Sequence, residues 1–283
     1  MLRSRPTFLV LISLGLAISA STAATDPRES DVEVAPGVVG TLTLGSSPTP
    51  KATVLLLHGW TGNRDEVGDM FKRTSAQLAV QNIASLRIDF RGEGERNGHR
   101  LTSTFATRIA DAEAGLVFLR QRFVETPIGV LGFSLGGATA LAVVGRQPEV
   151  VQSLVLWSTA GDIAVDFFTD PDLKAASREA MEKGEAIYDT WSKLTLTREH
   201  LMGMIGYDLF SPLAAYHGAL LSIRGSNDYL TPYEPRILAA ANCTLKETVV
   251  IGGADHIYNT LDPTSTHDER AITLTTRWFA ETL

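Results

Sequence analysis

Cysteine is almost missing from this chain. Cys243 stands alone, so no internal disulfide can form and stability has to come from buried side chains. No Cys/His cluster has the spacing of a metal site, and neither a metal nor another cofactor is expected. No run of Lys and Arg interleaved with aromatics appears. Asp and Glu number 32 against 25 Lys and Arg, a balance that argues against nucleic-acid binding. Internal repeats and low-complexity tracts are lacking as well. An apolar stretch, Phe8 to Ala20, is shorter than the about 20 residues of a comfortable membrane span. It follows the basic Met1-Leu2-Arg3-Ser4-Arg5 and runs into the small residues Ala20, Ala23 and Ala24. That order of basic, apolar and small residues is the pattern of a secretory signal peptide. Residues 1–23 are therefore expected to be removed on export, to the periplasm or beyond. The remainder, 24–283, is expected to lack stable membrane insertion.

What is present suits one sizeable core. The chain is 44% hydrophobic and 20% charged over 283 residues, enough for a single α/β domain. Val32–Val34 and Val38–Leu44 read as a leading hairpin, and Ser46-Ser47-Pro48-Thr49-Pro50 as a turn. Then short runs rich in β-formers alternate with helical patterns. Thr53–His58, Ile83–Phe90, Ile128–Phe133, Ser153–Trp157, Ala219–Gly225 and Thr248–Ile251 predict strands apolar on both faces, as in a parallel sheet. Helices are predicted over 65–82, 107–122, 134–145 and 271–282. In the second of these, Ile109, Ala112, Leu116 and Leu119 recur at offsets of three and four. Alternating strands and helices imply right-handed crossovers and an α/β fold with a mostly parallel central sheet. The rhythm breaks over about 159–210, which reads as a small cap insertion with helical segments around 174–188 and 197–204.

The most informative stretch is Ile128-Gly129-Val130-Leu131-Gly132-Phe133-Ser134-Leu135-Gly136-Gly137. Gly132-x-Ser134-x-Gly136 falls between a strand and a helix, where a tight turn exposes the serine hydroxyl. The helix start behind it offers free N–H groups and partial positive charge. Such a serine is a nucleophile candidate, whereas a glycine-rich turn with no chemistry is the bland alternative.

Together with His58-Gly59-Trp60-Thr61-Gly62 and Asp89-Phe90-Arg91-Gly92-Glu93-Gly94, this stretch resembles the α/β-hydrolase superfamily. Within it the similarity is greatest to the small esterases that include cinnamoyl (feruloyl) esterases. Where those enzymes usually carry Gly-His-Gly, this chain has Gly92-Glu93-Gly94. The resemblance implies a triad in the chain order Ser, acid, His. Asp228 follows the penultimate strand and Gly225, and His256 lies in the loop past the last strand. Asp255 is a poor rival for the acid because it adjoins the base, and His267 reads as a solvated helix-start residue. Acyl transfer further needs two N–H donors for the oxyanion. One is Leu135, after the nucleophile; the resemblance points to Trp60 for the other, with His58 bracing its loop. Trp157, Asp162, Phe167, Phe168, Tyr229 and Tyr258 are candidates to line the substrate pocket, the cap aromatics by analogy with an enclosed aromatic acyl group.

The reading that follows is a serine hydrolase acting on a small-molecule carboxylic ester through an acyl-serine, as a monomer or homodimer. A serine exopeptidase or amidase uses the same triad and needs a pocket carboxylate for the substrate amine, which Asp162 or Asp166 could supply. A non-catalytic binding protein on this fold usually lacks a triad residue, and all three candidates are present.

Overall fold

The structure is a computed structural model that describes residues 27–93, 99–167 and 171–283. The expected signal segment and Phe168 lie outside the described residues. Eleven strands and eight α-helices are formed among those described: β1 Arg28–Ala35, β2 Val38–Leu44, β3 Ala52–Leu57, α1 Met70–Val80, β4 Ile83–Ile88, β5 Arg100–Leu101, α2 Phe105–Arg122, β6 Ile128–Phe133, α3 Leu135–Arg146 and β7 Ser153–Trp157, then α4 Ile163–Phe167, α5 Pro171–Lys183, β8 Glu185–Asp189, β9 Lys193–Thr197, α6 Arg198–Gly203, β10 Ala219–Gly225, α7 Glu234–Ala240, β11 Lys246–Ile251 and α8 His267–Thr282.

Eight strands form the main sheet in the order β1-β2-β4-β3-β6-β7-β10-β11. The leading hairpin β1–β2 and the β2–β4 pair are antiparallel; the rest are parallel. The side-chain period of two along each strand divides the core into two layers. Leu55, Leu57, Val130, Leu154 and Leu156 face α2 and α3. Their neighbours Val54, Leu56, Leu131, Val155 and Ile223 face α1 and α8. All of these are completely buried, so the apolar runs on both faces are what a covered parallel sheet demands. Helix α2 starts on a reciprocal cap: Thr107 N–H donates to Thr104 Oγ1 at 3.2 Å and Thr104 N–H to Thr107 Oγ1 at 2.9 Å.

From β3 the chain moves first outward to β4 and later inward to β6, so the order reverses between β3 and β6. In open α/β sheets this is where ligands bind, at the carboxyl ends of the strands. The loop carrying Trp60 leaves β3 there, and Ser134 leaves β6 beside it.

The segment between β7 and β10 departs from the expectation of two helices. Helix α5 ends at Gly184, whose φ of 98° halts it. Residues 185–188, expected to continue a helix, lie instead in strand β8. It pairs antiparallel with β9, and β9 pairs with the two-residue β5. This second sheet, β5-β9-β8, ties the inserted segment to the loop between β4 and α2. Among the described residues, no helix is long and apolar enough to cross a membrane.

Candidate active site

Ser134 sits at φ 52° and ψ −118°, immediately before α3. A residue with a Cβ avoids this region unless its surroundings impose it. Here the backbone is fixed on both sides. Ser134 N–H donates to Trp157 O at 2.9 Å, and its carbonyl accepts from Gly137 N–H at 2.9 Å and Ala160 N–H at 3.1 Å. The glycines let β3 and α3 approach the turn. A Cβ on Gly136 would lie 1.9 Å from Leu57 O, and one on Gly132 would lie 2.4 Å from Gly136 O.

Asp228 follows β10 by three residues, and His256 follows β11 by five. The loop after β11 is a knot of short-range bonds around Asp255. Its Oδ1 accepts Ile257 N–H at 3.0 Å and Asn259 N–H at 2.7 Å, and Asp255 N–H donates to Asn259 Oδ1 at 3.1 Å. That oxygen lies 2.9 Å from His267 Nδ1. His267 is therefore not the solvated helix-start residue expected; it clamps the loop. Asp255 builds the loop and His256 projects from it.

The three side chains meet. His256 Nδ1 is 2.8 Å from Asp228 Oδ1, and His256 Nε2 is 3.0 Å from Ser134 Oγ. The carboxylate can only accept from Nδ1–H, which leaves Nε2 bare to accept the serine proton. Burial works to raise the Asp228 pKa, but the bond from His256, its charge and Leu230 N–H at 3.0 Å hold the carboxyl below its ordinary value. Asp228 thus stays an anion beside the imidazole. Leu135 is the first residue of α3, where an N–H has no partner within the helix.

Beneath the Trp60 loop lies a buried polar network that sequence reading missed. The Glu93 and Arg108 side chains form an ion pair, both with no exposed surface. Glu93 also accepts Ser103 Oγ–H at 2.7 Å and Thr61 N–H at 3.2 Å. Arg108 donates to His58 O at 2.6 Å and Thr139 Oγ1 at 3.2 Å, with its guanidinium over the Phe90 ring at 3.8 Å. Burial works to raise the Glu93 pKa, but the charge of Arg108, the neighbouring His58 and the hydrogen bond from Arg108 together outweigh it and hold the carboxyl low. His58 lies between Gly59 O at 2.7 Å and Phe90 N–H at 3.1 Å, a brace as expected. Burial, then the Arg108 charge, push its pKa down to about 4, so it is neutral. On the other side of the loop, Glu66 accepts N–H bonds from Gly59 and Val67, and burial raises its pKa. Arg108 lies on the apolar side of α2 with Phe105 and Ala112. An arginine on that stripe is the sequence signal for a buried partner.

The pocket candidates divide. Tyr229 is 74% exposed, with its ring 4.5 Å from that of His256. Asp162 is exposed and accepts Val165 N–H at 3.2 Å. Phe167 is the last residue of α4. Trp157 and Tyr258 do not line the site: both are fully buried. Trp157 Nε1–H donates to Thr275 Oγ1 at 2.7 Å, and Tyr258 Oη–H to Ile223 O at 2.8 Å. Both side chains turn into the layer under α1 and α8 instead of toward the strand ends that carry the site. Trp60 itself stands among aromatics of the inserted segment, with Tyr188 and Trp191 each at a ring distance of 6.4 Å. Among the described residues, no group of three or more His, Cys, Asp or Glu side chains could hold a metal ion.

A family model described as Serine aminopeptidase, S33 matches residues 48–205. The pimeloyl-[acyl-carrier protein] methyl ester esterase of Neisseria meningitidis serogroup A is 31% identical over 121 residues, covering 43% of this chain and 34% of that protein. The monoglyceride lipase of Rattus norvegicus is 28% identical over 116 residues, covering 40% and 36%. The matched stretch thus spans little more than a third of the length of these relatives. Est1E from Butyrivibrio proteoclasticus, solved with ferulic acid bound, superposes with a TM-score of 0.69 at 18% identity over 89% of this chain and 98% of that one. The esterase domain of a Rhodothermus marinus protein gives 0.64 at 23% identity, over 91% and 99%. At these identities the likeness is one of fold, and the fold is that of the α/β-hydrolases.

Proposed function

The chain belongs to the family described as serine aminopeptidase, S33, an α/β-hydrolase family, and from that premise we propose that it is a serine hydrolase cleaving carboxylic esters through an acyl-serine. The observation that carries this reading is the bond chain Asp228–His256–Ser134 on a serine held at positive φ. Naming of two relatives as an ester esterase and a lipase supports ester over amide.

In the proposed reaction, His256 Nε2 takes the Ser134 proton as Oγ bonds to the ester carbonyl carbon. The carbonyl electron pair moves onto oxygen, facing the N–H groups of Leu135 and Trp60, which stabilise the charge as it develops. Re-forming the carbonyl breaks the bond to the alcohol oxygen, which leaves with the proton from His256. Water then attacks the acyl-serine, gives its proton to His256, and the serine departs with that proton. Asp228 holds the imidazole tautomer and stabilises the imidazolium throughout. The order of basic, apolar and small residues in 1–23 supports export as part of the same reading.

The family description favours amide cleavage as a second reading. A substrate amine needs a carboxylate, but Asp166 already accepts from Tyr233 Oη–H at 3.0 Å and Gly161 N–H at 3.2 Å. A fluorophosphonate probe should label Ser134 and fail to label Ser134→Ala or His256→Ala. Turnover of p-nitrophenyl acyl esters and methyl ferulate, but not of aminoacyl p-nitroanilides, is expected. Turnover of the anilides alone would reverse the choice, and a folded protein that does not label would end the hydrolase reading.

A further inference from the structure

The loop between β3 and α1 is gripped from two directions. From below, Glu93 takes Thr61 N–H, next to Trp60. From above, the inserted segment reaches down with His200, which lies in α6 and is completely buried. The Trp60 indole Nε1–H donates to His200 Nε2 at 3.0 Å, joining residues 140 apart in the chain. An indole N–H can only donate, so Nε2 must be bare and the imidazole proton sits on Nδ1. Nδ1 lies 2.7 Å from Ser103 O, an acceptor. One neutral tautomer therefore satisfies both contacts, and burial favours that neutral form. Ser103 also bonds Glu93, so the two grips share a residue. The position of α6 is itself set: Thr197 Oγ1 accepts His200 N–H at 3.1 Å and donates to Leu101 O of β5 at 2.6 Å.

We propose that His200 is a positioning residue which couples the seating of the inserted segment to the oxyanion loop, by fixing the indole of the residue whose backbone N–H is the second donor. The proposal rests on the serine hydrolase reading and on Trp60 as that donor. With His200 in place, the Trp60 indole is tethered at Nε1, and the backbone that carries it is held between Glu93 and α6. Without it, the indole loses this acceptor, while the backbone bonds to Glu93 and Glu66 stay. A donor misplaced by a fraction of an ångström forfeits much of its stabilisation, because it must meet the oxyanion at hydrogen-bond distance.

The test is steady-state turnover of p-nitrophenyl butyrate by wild type, Trp60→Phe, His200→Leu, the double variant and His200→Gln, each checked by circular dichroism and fluorophosphonate labelling. Trp60→Phe keeps the backbone N–H and an aromatic ring while removing the indole donor. Each single loss is expected to lower kcat by about 10- to 100-fold, with KM little changed. The double variant should be no worse than the poorer single, since both remove one bond. His200→Gln keeps an acceptor on a similar reach and should recover at least about a third of wild-type kcat. If His200→Leu does not fold, Trp60→Phe and His200→Gln carry the test alone. Unchanged kcat in Trp60→Phe, multiplying losses in the double variant, or an effect confined to KM would each overturn the proposal. Wild type that neither labels nor turns over the ester would overturn the hydrolase reading itself, and the coupling with it.

Discussion

Replacing Glu93 by Gln tests whether the network beneath the Trp60 loop is held by charge. The substitution keeps the volume and one carbonyl oxygen. The carboxylate, however, accepts on both oxygens: Arg108 and Ser103 on Oε1, Thr61 N–H on Oε2. An amide can face only one way, so its NH2 group must oppose either the Arg108 guanidinium or Thr61 N–H. In either orientation Arg108 would be left with neutral acceptors alone, His58 O and Thr139 Oγ1 among them, while remaining without exposed surface. Removing one member of a buried pair costs about 3–5 kcal/mol. For a chain of this size about 2 °C of melting temperature accompanies each kcal/mol, so the fall should be ~6–10 °C in calorimetry at pH 7. The pH dependence adds a second constraint. Because the folded pKa of Glu93 is depressed, its stabilisation is complete above the ordinary glutamate value near ~4.3 and is lost as pH falls through the lower folded value. The gap between wild type and variant should therefore be constant from about pH 8 to 5 and close below that. A change under ~1 kcal/mol at pH 7, far below the buried-pair range, or a gap that widens on acidification, would refute the reasoning.

Asp228→Asn leaves the shape of the site but no longer imposes the tautomer, and kcat on p-nitrophenyl butyrate should drop about 10⁴-fold; a loss under about tenfold would remove Asp228 from the role assigned. Trp157→Phe breaks the bond to Thr275 and leaves a void, so it should cost about 1–3 kcal/mol in urea unfolding while kcat and KM hold. A shift in KM would return Trp157 to the pocket.

Much of the fold can be read from the chain because burial on both faces forces largely apolar runs, as in β3, β6 and β7, with β10 interrupted at Ser222 and Arg224. The positions of Ser134, Asp228 and His256 were legible for a related reason: each lies a few residues past a strand end, and parallel strands bring those ends to one edge. What failed were features fixed by a pairing partner and not by the residues' own periodicity. Glu185–Asp189 has no local preference strong enough to announce a strand; it is one because β9 lies beside it. The two residues of β5 carry no pattern at all. Glu93 and Arg108 look like surface charges until their partners, 15 residues apart, are seen to face each other in the interior. Trp157 and Tyr258 show the converse error: one ends a strand at the site's edge and the other flanks His256, yet both side chains turn into the core.

The pairing of β9 with β5 has a consequence for attempts to re-engineer selectivity by exchanging segments between relatives. Residues 159–210 look like a detachable module, bounded by β7 and the approach to β10. Yet the inserted segment is bonded to His99 O through Thr195 N–H and to Leu101 O through Thr197 Oγ1, partners 96 residues earlier in the chain, and Arg100 pairs with Glu185 across the same seam. A chimera that transplants the segment alone would present its new edge strand to a foreign counterpart. The transferable unit is discontinuous, and includes 99–104 with whatever replaces 159–210.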